Sequence, residues 1–190
     1  MSKFVLFLLF VAVNTGLMAA TPTVADIPVH ISPVNKWIIV DKNNWKAPNI
    51  AVTLRNEEGS LLISEKINDS KKYNLKNVSD GKYILELEDD QQVRVQSLQV
   101  ASEILYSKDI YTIYKPQLKI SDDHIDMNLM TQGEEAQVSI RNNEWKSEFS
   151  ENTGKEVSVS KRYNLKGLPP GEYTFVVKIG GHTFTRSFTK

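Results

Sequence analysis

The chain has 190 residues, of which 41% are hydrophobic and 24% charged, a balance typical of a folded protein with one large or two small domains. Lysine plus arginine and aspartate plus glutamate number 23 each, so the overall charge favours neither nucleic acid nor an anionic membrane. Cysteine is absent, which excludes disulfides, thiolate nucleophiles and cysteine zinc sites.

Residues 1–20 have the pattern of a signal peptide. Lys3 supplies a positive start, residues 4–13 are an unbroken apolar run, and Ala19-Ala20 offers small residues for cleavage. A membrane-spanning helix needs about twenty apolar residues, roughly twice this run, so a retained anchor is the less favoured alternative. We expect an exported mature chain without a transmembrane segment, located in the periplasm, on the outer surface or outside the cell.

The chain contains an internal repeat. Residues 71–83 match residues 161–173 at an offset of 90, with seven of the thirteen pairs identical. Residues 52–56 match residues 138–142 at an offset of 86, so the second copy carries four extra residues, predicted near 152–154. Because solenoid repeats have periods of about 20–50 residues, this spacing indicates duplication of a whole domain.

In chain order, strands are predicted at 37–40, 50–54 and 60–63, followed by a hairpin that turns at Asp89-Asp90. In the second copy they are predicted at 125–130, 136–140 and 157–160, followed by a hairpin that turns at Gly180-Gly181. The long hairpin strands alternate polar and apolar residues, which is the period of a half-buried strand. The sequence therefore predicts an all-β protein with two tandem immunoglobulin-like antiparallel β-sandwich domains after the signal peptide.

The predicted domain boundaries are 27–112 and 113–190. Tyr114-Lys115-Pro116 marks the junction, because proline interrupts strand pairing. Residues 102–113 have no counterpart in the second copy and are interpreted as an extra strand that reaches the second domain.

The duplicated block has the arrangement of a tyrosine corner, in which a hydroxyl bonds back to upstream backbone. A leucine ends one strand, a glycine turns the chain at φ values that other residues resist, and a tyrosine opens the next strand. The alternative is an ordinary tyrosine at a strand start. The residues of this structural motif are Tyr73, Leu75, Gly81 and Tyr83 in the first copy, and Tyr163, Leu165, Gly171 and Tyr173 in the second.

No catalytic residue, metal site or cofactor is predicted. His30, His124 and His182 are scattered, and neither a nucleophile elbow nor a phosphate-binding glycine loop is present. The densest acidic cluster, residues 122–126, could hold calcium, but a solvated turn is the favoured interpretation.

Three tryptophans remain as candidates for a ligand-binding surface. Trp37 begins an apolar run and is expected to be buried. Trp45 and Trp145 lie in polar loop contexts and are the weak ligand-binding candidates, because exposed indoles can stack on sugar rings or contact a protein. The alternative is that both fill the small cores.

The block at 163–173 and the ending at 186–190 resemble small β-sandwich domains of secreted Bacteroidetes-type proteins. They are similar to the C-terminal sorting domains of type IX secretion and to a related family of unknown function. That resemblance implies the sandwich fold and a cell-envelope setting. The proline-rich opening of sorting domains is approached only at Ser32-Pro33-Val34-Asn35, and no larger cargo domain is present, so no secretion function is carried over.

Three functions are compatible with these observations. The first is a non-enzymatic envelope protein that contacts another envelope protein or a surface polymer through sandwich edges or loops. The second is a carbohydrate-binding module that uses exposed tryptophans. The third, a hydrolase with an unrecognised carboxylate pair, is the least favoured.

Overall fold

The computed structural model describes residues 29–102 and 104–190, where the regular structure is β apart from a short 3-10 turn at Lys42–Asn44. The predicted signal peptide lies outside these residues. In the described part of the chain, no helix has the length and apolar character needed to cross a membrane.

The first half of the chain contributes eight strands within the described residues. They are β1 (Val29–Ser32), β2 (Trp37–Val40), β3 (Ile50–Asn56), β4 (Leu61–Ile67), β5 (Lys71–Asn74), β6 (Gly81–Glu88), β7 (Gln92–Val100) and β8 (Ile104–Tyr114). One sheet has the order β1-β2-β5 and the other has the order β4-β3-β6-β7-β8.

The second half, from residue 117 onward, contributes seven described strands. They are β9 (Gln117–Ile120), β10 (His124–Met130), β11 (Gln137–Asn142), β12 (Ser147–Asn152), β13 (Ser158–Asn164), β14 (Glu172–Ile179) and β15 (His182–Thr189). Their sheets have the orders β9-β10-β13 and β12-β11-β14-β15.

The two halves repeat one strand order. In each, the first, second and fifth strands form one sheet, and the third, fourth, sixth and seventh form the other, with antiparallel pairing. This is an immunoglobulin-like sandwich, so the predicted all-β fold is confirmed. The four extra residues of the second copy fall between Thr153 and Lys161, in the loop before β13 and in its first residues.

The central strands show why these segments fold as they do. In β6 the side chains of Tyr83, Leu85 and Leu87 are buried, while the residues between them are not. Burying a large apolar side chain contributes about 1.5–3 kcal/mol, so this alternation fixes which face of the strand meets the second sheet.

Strand β8 pairs with β7, as expected for an extra strand in the first half. Strand β8 runs across residues 112 and 113, where the boundary between the two domains is predicted. The domain boundaries 27–112 and 113–190 therefore remain predictions. Near its end, Ile113 belongs to the hydrophobic core of the second half. The Thr112 carbonyl also accepts a hydrogen bond of 2.8 Å from the Gln132 side chain.

Strand β7 contributes to both cores. Leu98 and Val100 pack in the core of the first half, whereas Val93 and Val95, on the opposite face, pack in the core of the second half. A polar contact lies beside them, where His182 Nε2 is 3.3 Å from Glu86 Oε1. The two sandwiches are therefore joined by shared apolar packing as well as by the chain itself.

Tyr83 and Tyr173 have the geometry of tyrosine corners. The Tyr83 hydroxyl donates to the Ser79 carbonyl at 2.8 Å, and the Tyr173 hydroxyl donates to the Pro169 carbonyl at 2.9 Å. In both halves the bond reaches four residues upstream and ties the turn to the start of the next strand.

The glycines of this motif differ from each other. Gly81 has φ of +155°. Gly171 does not have positive φ, so the prediction that its backbone conformation requires glycine is wrong. A Cβ atom on Gly171 would lie 3.6 Å from the Tyr173 ring, which is ordinary van der Waals contact.

We predict that Tyr83→Phe and Tyr173→Phe each lower the free energy of unfolding by about 0.5–1.5 kcal/mol, because each removes one hydrogen bond while leaving the ring packed. Chemical denaturation of the full chain measures the change. Stability equal to wild type in both variants would contradict a structural role for the hydroxyls.

The turn between β14 and β15 contains two glycines, Gly180 and Gly181. Gly180 and Gly181 have φ of +55° and +76°, so alanine is strained at either position by about 1–2 kcal/mol. Only at Gly180 would the added Cβ meet a side chain, Ile113 Cδ1 at 2.8 Å. Gly180→Ala should therefore be more destabilising than the control Gly181→Ala in thermal or chemical denaturation. Equal losses would show that the sandwiches do not touch there in solution.

Candidate functional site

Trp145 lies at the tip of the hairpin between β11 and β12. Asn142 shapes this turn: its carbonyl accepts from the Trp145 N–H at 2.9 Å, and its side-chain oxygen accepts from the N–H groups of Glu144 and Lys146 at 3.0 Å each. Trp145 is 56% exposed. The turn thus presents a large apolar ring to solvent.

The backbone of Trp145 is in the left-handed region, with φ of +63°. At the matching position of the first half the residue is Gly59, with φ of +83° and the same bond to the asparagine three residues before it. For a bulky residue this conformation is a genuine outlier, and strain of this kind concentrates at binding and catalytic sites. Since the first half builds the same turn with glycine, the turn itself does not need tryptophan.

Arg141 supports the exposed indole. Its guanidinium carbon lies 5.5 Å from the centre of the Trp145 ring, and its Nη1 donates to the Trp145 carbonyl at 3.0 Å. A cation over an indole face contributes about 0.5–1 kcal/mol at an exposed site. Arg141 therefore orients the ring and covers part of one face.

The predicted exposed position of Trp45 is wrong. Trp45 is only 5% exposed, its Nε1 donates to Asp89 Oδ2 at 2.6 Å, and Arg94 lies over its ring at 5.4 Å. Asp89 also accepts from the backbone N–H groups of Gln91 and Gln92. Trp45 is thus a core residue that anchors the β6–β7 turn, whereas Trp37 is half-buried at the start of β2.

A groove of about 550 Å³ lies between β12 and β13, the edge strands of the two sheets of the second half. Phe149 stands opposite the buried Ile140 and therefore points inward, yet it is 38% exposed. Its ring contacts Tyr163 edge-on at 5.7 Å, and Tyr163 contacts Phe175 at 5.2 Å. A row of aromatic rings thus leads from the groove into the core.

Inward-pointing charges close part of this groove. Glu151 on β12 binds Lys161 on β13 at 2.9 Å and accepts from the Tyr163 hydroxyl at 2.9 Å. Burial, together with the Glu151 carboxylate, raises the pKa of Tyr163 and keeps its hydroxyl protonated as a donor.

The first half repeats this arrangement. Glu65 on β4 binds Lys71 on β5 at 2.5 Å. Hydrogen bonding to Lys71 lowers the pKa of Glu65, while burial and the nearby Glu65 raise that of Tyr73. These residues stand at the positions of Glu151, Lys161 and Tyr163. Such inward charges discourage another strand from pairing at a sheet edge.

The acidic cluster forms ion pairs. Asp126 accepts from Arg162 at 2.6 and 2.8 Å, which lowers the pKa of Asp126. Asp123 lies 2.5 Å from His124 Nδ1, and that contact lowers the pKa of Asp123. Within the described residues, no group of three or more histidine, aspartate or glutamate side chains is arranged to hold a metal ion.

Sequence reasoning selected Trp145 but missed Phe149, the inward ion pairs and the strain at the hairpin. Aligning the β3–β4 hairpin of the first copy with the β11–β12 hairpin of the second would have pointed to these residues. It places Gly59 against Trp145, Ile63 against Phe149 and Glu65 against Glu151 at the offset of 86.

The strand order places this protein in the class of immunoglobulin-like β-sandwich proteins. No protein-family model matches the chain, and neither does any curated protein. Among solved structures, it is similar to a structure described as "Biofilm associated protein - BSP domain", at 14% identity and a TM-score of 0.30, covering 76% of this chain and 25% of that one.

A second similar structure is native alpha-2-macroglobulin from Escherichia coli, spanning domains MG0-NIE-MG1, at 8% identity and a TM-score of 0.30; 82% of this chain and 58% of that chain are covered. A third is the chicken interferon gamma receptor alpha chain, at 10% identity and a TM-score of 0.26, with coverage of 85% and 95%. The chain spans about a quarter of the length of the first similar structure and somewhat over half of the length of the second. At these TM-scores the likenesses carry no functional inference.

We predict that Trp145→Gly is more stable than Trp145→Ala by about 1 kcal/mol, because both variants remove the ring but only glycine relieves the left-handed strain. The matched variant Gly59→Ala should lose a similar amount relative to wild type. Chemical denaturation of the three variants and the wild-type chain measures the differences. Equal stability of the two Trp145 variants would show that the turn is unstrained.

Proposed function

We propose that this chain is an exported, non-catalytic module of the cell envelope that binds a partner protein through the β11–β12 hairpin, with Trp145 at the centre of the contact. The observation that carries the proposal is the exposed, strained Trp145 at a turn that the first half builds with glycine. Because the first half builds the same turn with glycine, the fold does not require a strained tryptophan here, and a binding role is a physical reason for keeping it.

The chemistry around Trp145 favours a protein partner over a carbohydrate. Sugar rings stack on open aromatic faces, but Arg141 lies over one face of this indole. Trp45, the other predicted ligand-binding tryptophan, is buried and therefore does not offer a ring face to a sugar. Tryptophan and arginine together are the residues that most often dominate the binding energy of protein interfaces.

The groove between β12 and β13 supports the same role. It exposes Phe149 a few residues after Trp145 on the same hairpin, so one element carries two exposed aromatic side chains. The carboxylate of Glu151 in the groove is bound to Lys161. A carboxylate held in an ion pair and a tyrosine hydrogen bond suits architecture rather than acid–base chemistry.

The envelope setting rests on the signal-peptide pattern of residues 1–20 and on the resemblance of the repeated block to domains of secreted proteins. The absence of cysteine fits either side of an outer membrane. The proposal therefore places the partner among envelope or surface proteins.

The test is affinity capture from envelope extract with the exported chain immobilised. We predict that Trp145→Ala reduces capture of the specific partner at least tenfold, since a central tryptophan contributes about 2 kcal/mol or more to an interface. Val34→Ala is the matched control, because it truncates another exposed apolar side chain at a turn of the first half. It should leave capture unchanged.

Undiminished capture by a folded Trp145→Ala chain would contradict the proposal. A glycan panel read by tryptophan fluorescence tests the alternative. Quenching by a glycan that disappears in Trp145→Ala would instead identify a carbohydrate-binding module.

A further inference from the structure

The edges of the described sheets differ in how they resist pairing with another strand. Strands β1 and β9 have only four residues each. The pairing of β4 with β3 and of β12 with β11 is interrupted by a register shift, as is that of β8 with β7. Short length and bulges are both devices that block edge-to-edge pairing.

Strands β5 and β13 are blocked differently, by the inward lysines Lys71 and Lys161. Each lysine is bound across the sandwich to a glutamate on the neighbouring edge strand. An added strand at either edge would have to displace this ion pair.

Strand β15 is neither short nor interrupted by a bulge, and its one inward charge, Arg186, forms no ion pair in the described part of the chain to a neighbouring edge strand of the kind that Lys71 and Lys161 form. It pairs with β14 over eight consecutive residues without a register shift and contains no proline. Its side away from β14, here called the β15 edge, has no neighbouring strand within the described residues. An edge of this kind is a template for strand addition.

The first half of the same chain shows the matching edge occupied. The β14–β15 hairpin corresponds to the β6–β7 hairpin, and β7 is covered by the antiparallel β8. Gln96 of β7, opposite Leu85, is buried there. Its counterpart Arg186, opposite Phe175, is exposed on the β15 edge. Among the described residues, this edge is therefore paired in the first half and unpaired in the second.

Charge restricts what the open edge accepts. Residues 182–190 contain His182, Arg186 and Lys190 but neither aspartate nor glutamate. Arg186 lies between Phe184 and Phe188 on the inward face, and no ion pair to it occurs among the described residues. Opposite charges on directly paired strands stabilise the pair, whereas like charges destabilise it. An inward arginine therefore repels basic strands and fits an acidic one.

We propose that the β15 edge binds an extended segment of a partner protein as an added antiparallel strand, with an acidic side chain opposite Arg186 and apolar side chains opposite Phe184 and Phe188. The occupant takes the place that β8 holds in the first half. This site is separate from the Trp145 hairpin. That hairpin includes β12, which forms the opposite edge of the same sheet.

The test uses the exported chain and the synthetic peptide Thr-Val-Thr-Glu-Thr-Val-Thr, whose valines and glutamate share one face in an extended strand. Hydrogen exchange should show new protection of β15 backbone amides at saturating peptide. The analogue with lysine in place of glutamate should bind roughly threefold more weakly, the size expected for one cross-strand charge pair. In Arg186→Glu the order of the two peptides should reverse.

Several results would overturn the inference. They are protection elsewhere than β15, no protection at all, or an order of the two peptides that Arg186→Glu leaves unchanged. Protection of β15 that rises with protein concentration before peptide is added would assign the edge to a second copy of the chain instead. Trp145→Ala should not alter peptide binding, so failure here and failure of the Trp145 site are distinguishable.

Discussion

The arrangement of the two sandwiches depends on a strand with two buried faces. Strand β7 directs Leu98 and Val100 into one core and Val93 and Val95 into the other. Burial of Val93, Val95 and Ile113 contributes about 1.5–3 kcal/mol for each side chain, and separating the halves would return all three to water. A sandwich of this size buries only a modest share of its surface and has no disulfide, so this shared packing is a substantial part of its stability.

Strand β8, which has no counterpart among the described strands of the second half, pairs with this shared strand and also helps to join the two sandwiches. Strand β8 extends the first sheet past β7 and places Ile113 against Gly180, in the turn between β14 and β15. Only a glycine leaves room for the isoleucine there, because a Cβ at that position would lie 2.8 Å from its terminal carbon. Backbone conformation and packing thus select the same residue, and the turn serves both the hairpin and the contact between sandwiches.

Much of the fold could be predicted because it rests on local patterns. The alternation in β6 and β14 and the repeat at an offset of 90 required only neighbouring residues and a comparison of the chain with itself. Strand β12 was not predicted, because its inward positions are Phe149 and the charged Glu151, which break the apolar alternation. The burial of Trp45 depends on Asp89, 44 residues away, and no local pattern reports that hydrogen bond.

The candidate site was predictable only in part for a similar reason. Trp145 stood out by composition, but its strain became evident only when its φ could be set against that of Gly59. Likewise, Glu151 and Lys161 are ten residues apart and belong to different sheets. Their pairing is a property of the sandwich, because it requires β12 and β13 to come together at one side of it.

Two differences between the two copies fall at equivalent places in the fold. At the third-to-fourth strand turn the first half has glycine and the second has a strained tryptophan. At the seventh strand, the first half is covered by β8, whereas the described part of the chain places no strand beside β15 on its side away from β14. Both departures expose surface or store strain, and each costs stability locally. The shared core offsets that cost, because the second half keeps the packing of Val93, Val95 and Ile113 whatever its own loops and edges do. Duplication with a common core thus lets the second copy carry a strained turn and an exposed strand edge while the shared packing stabilises it.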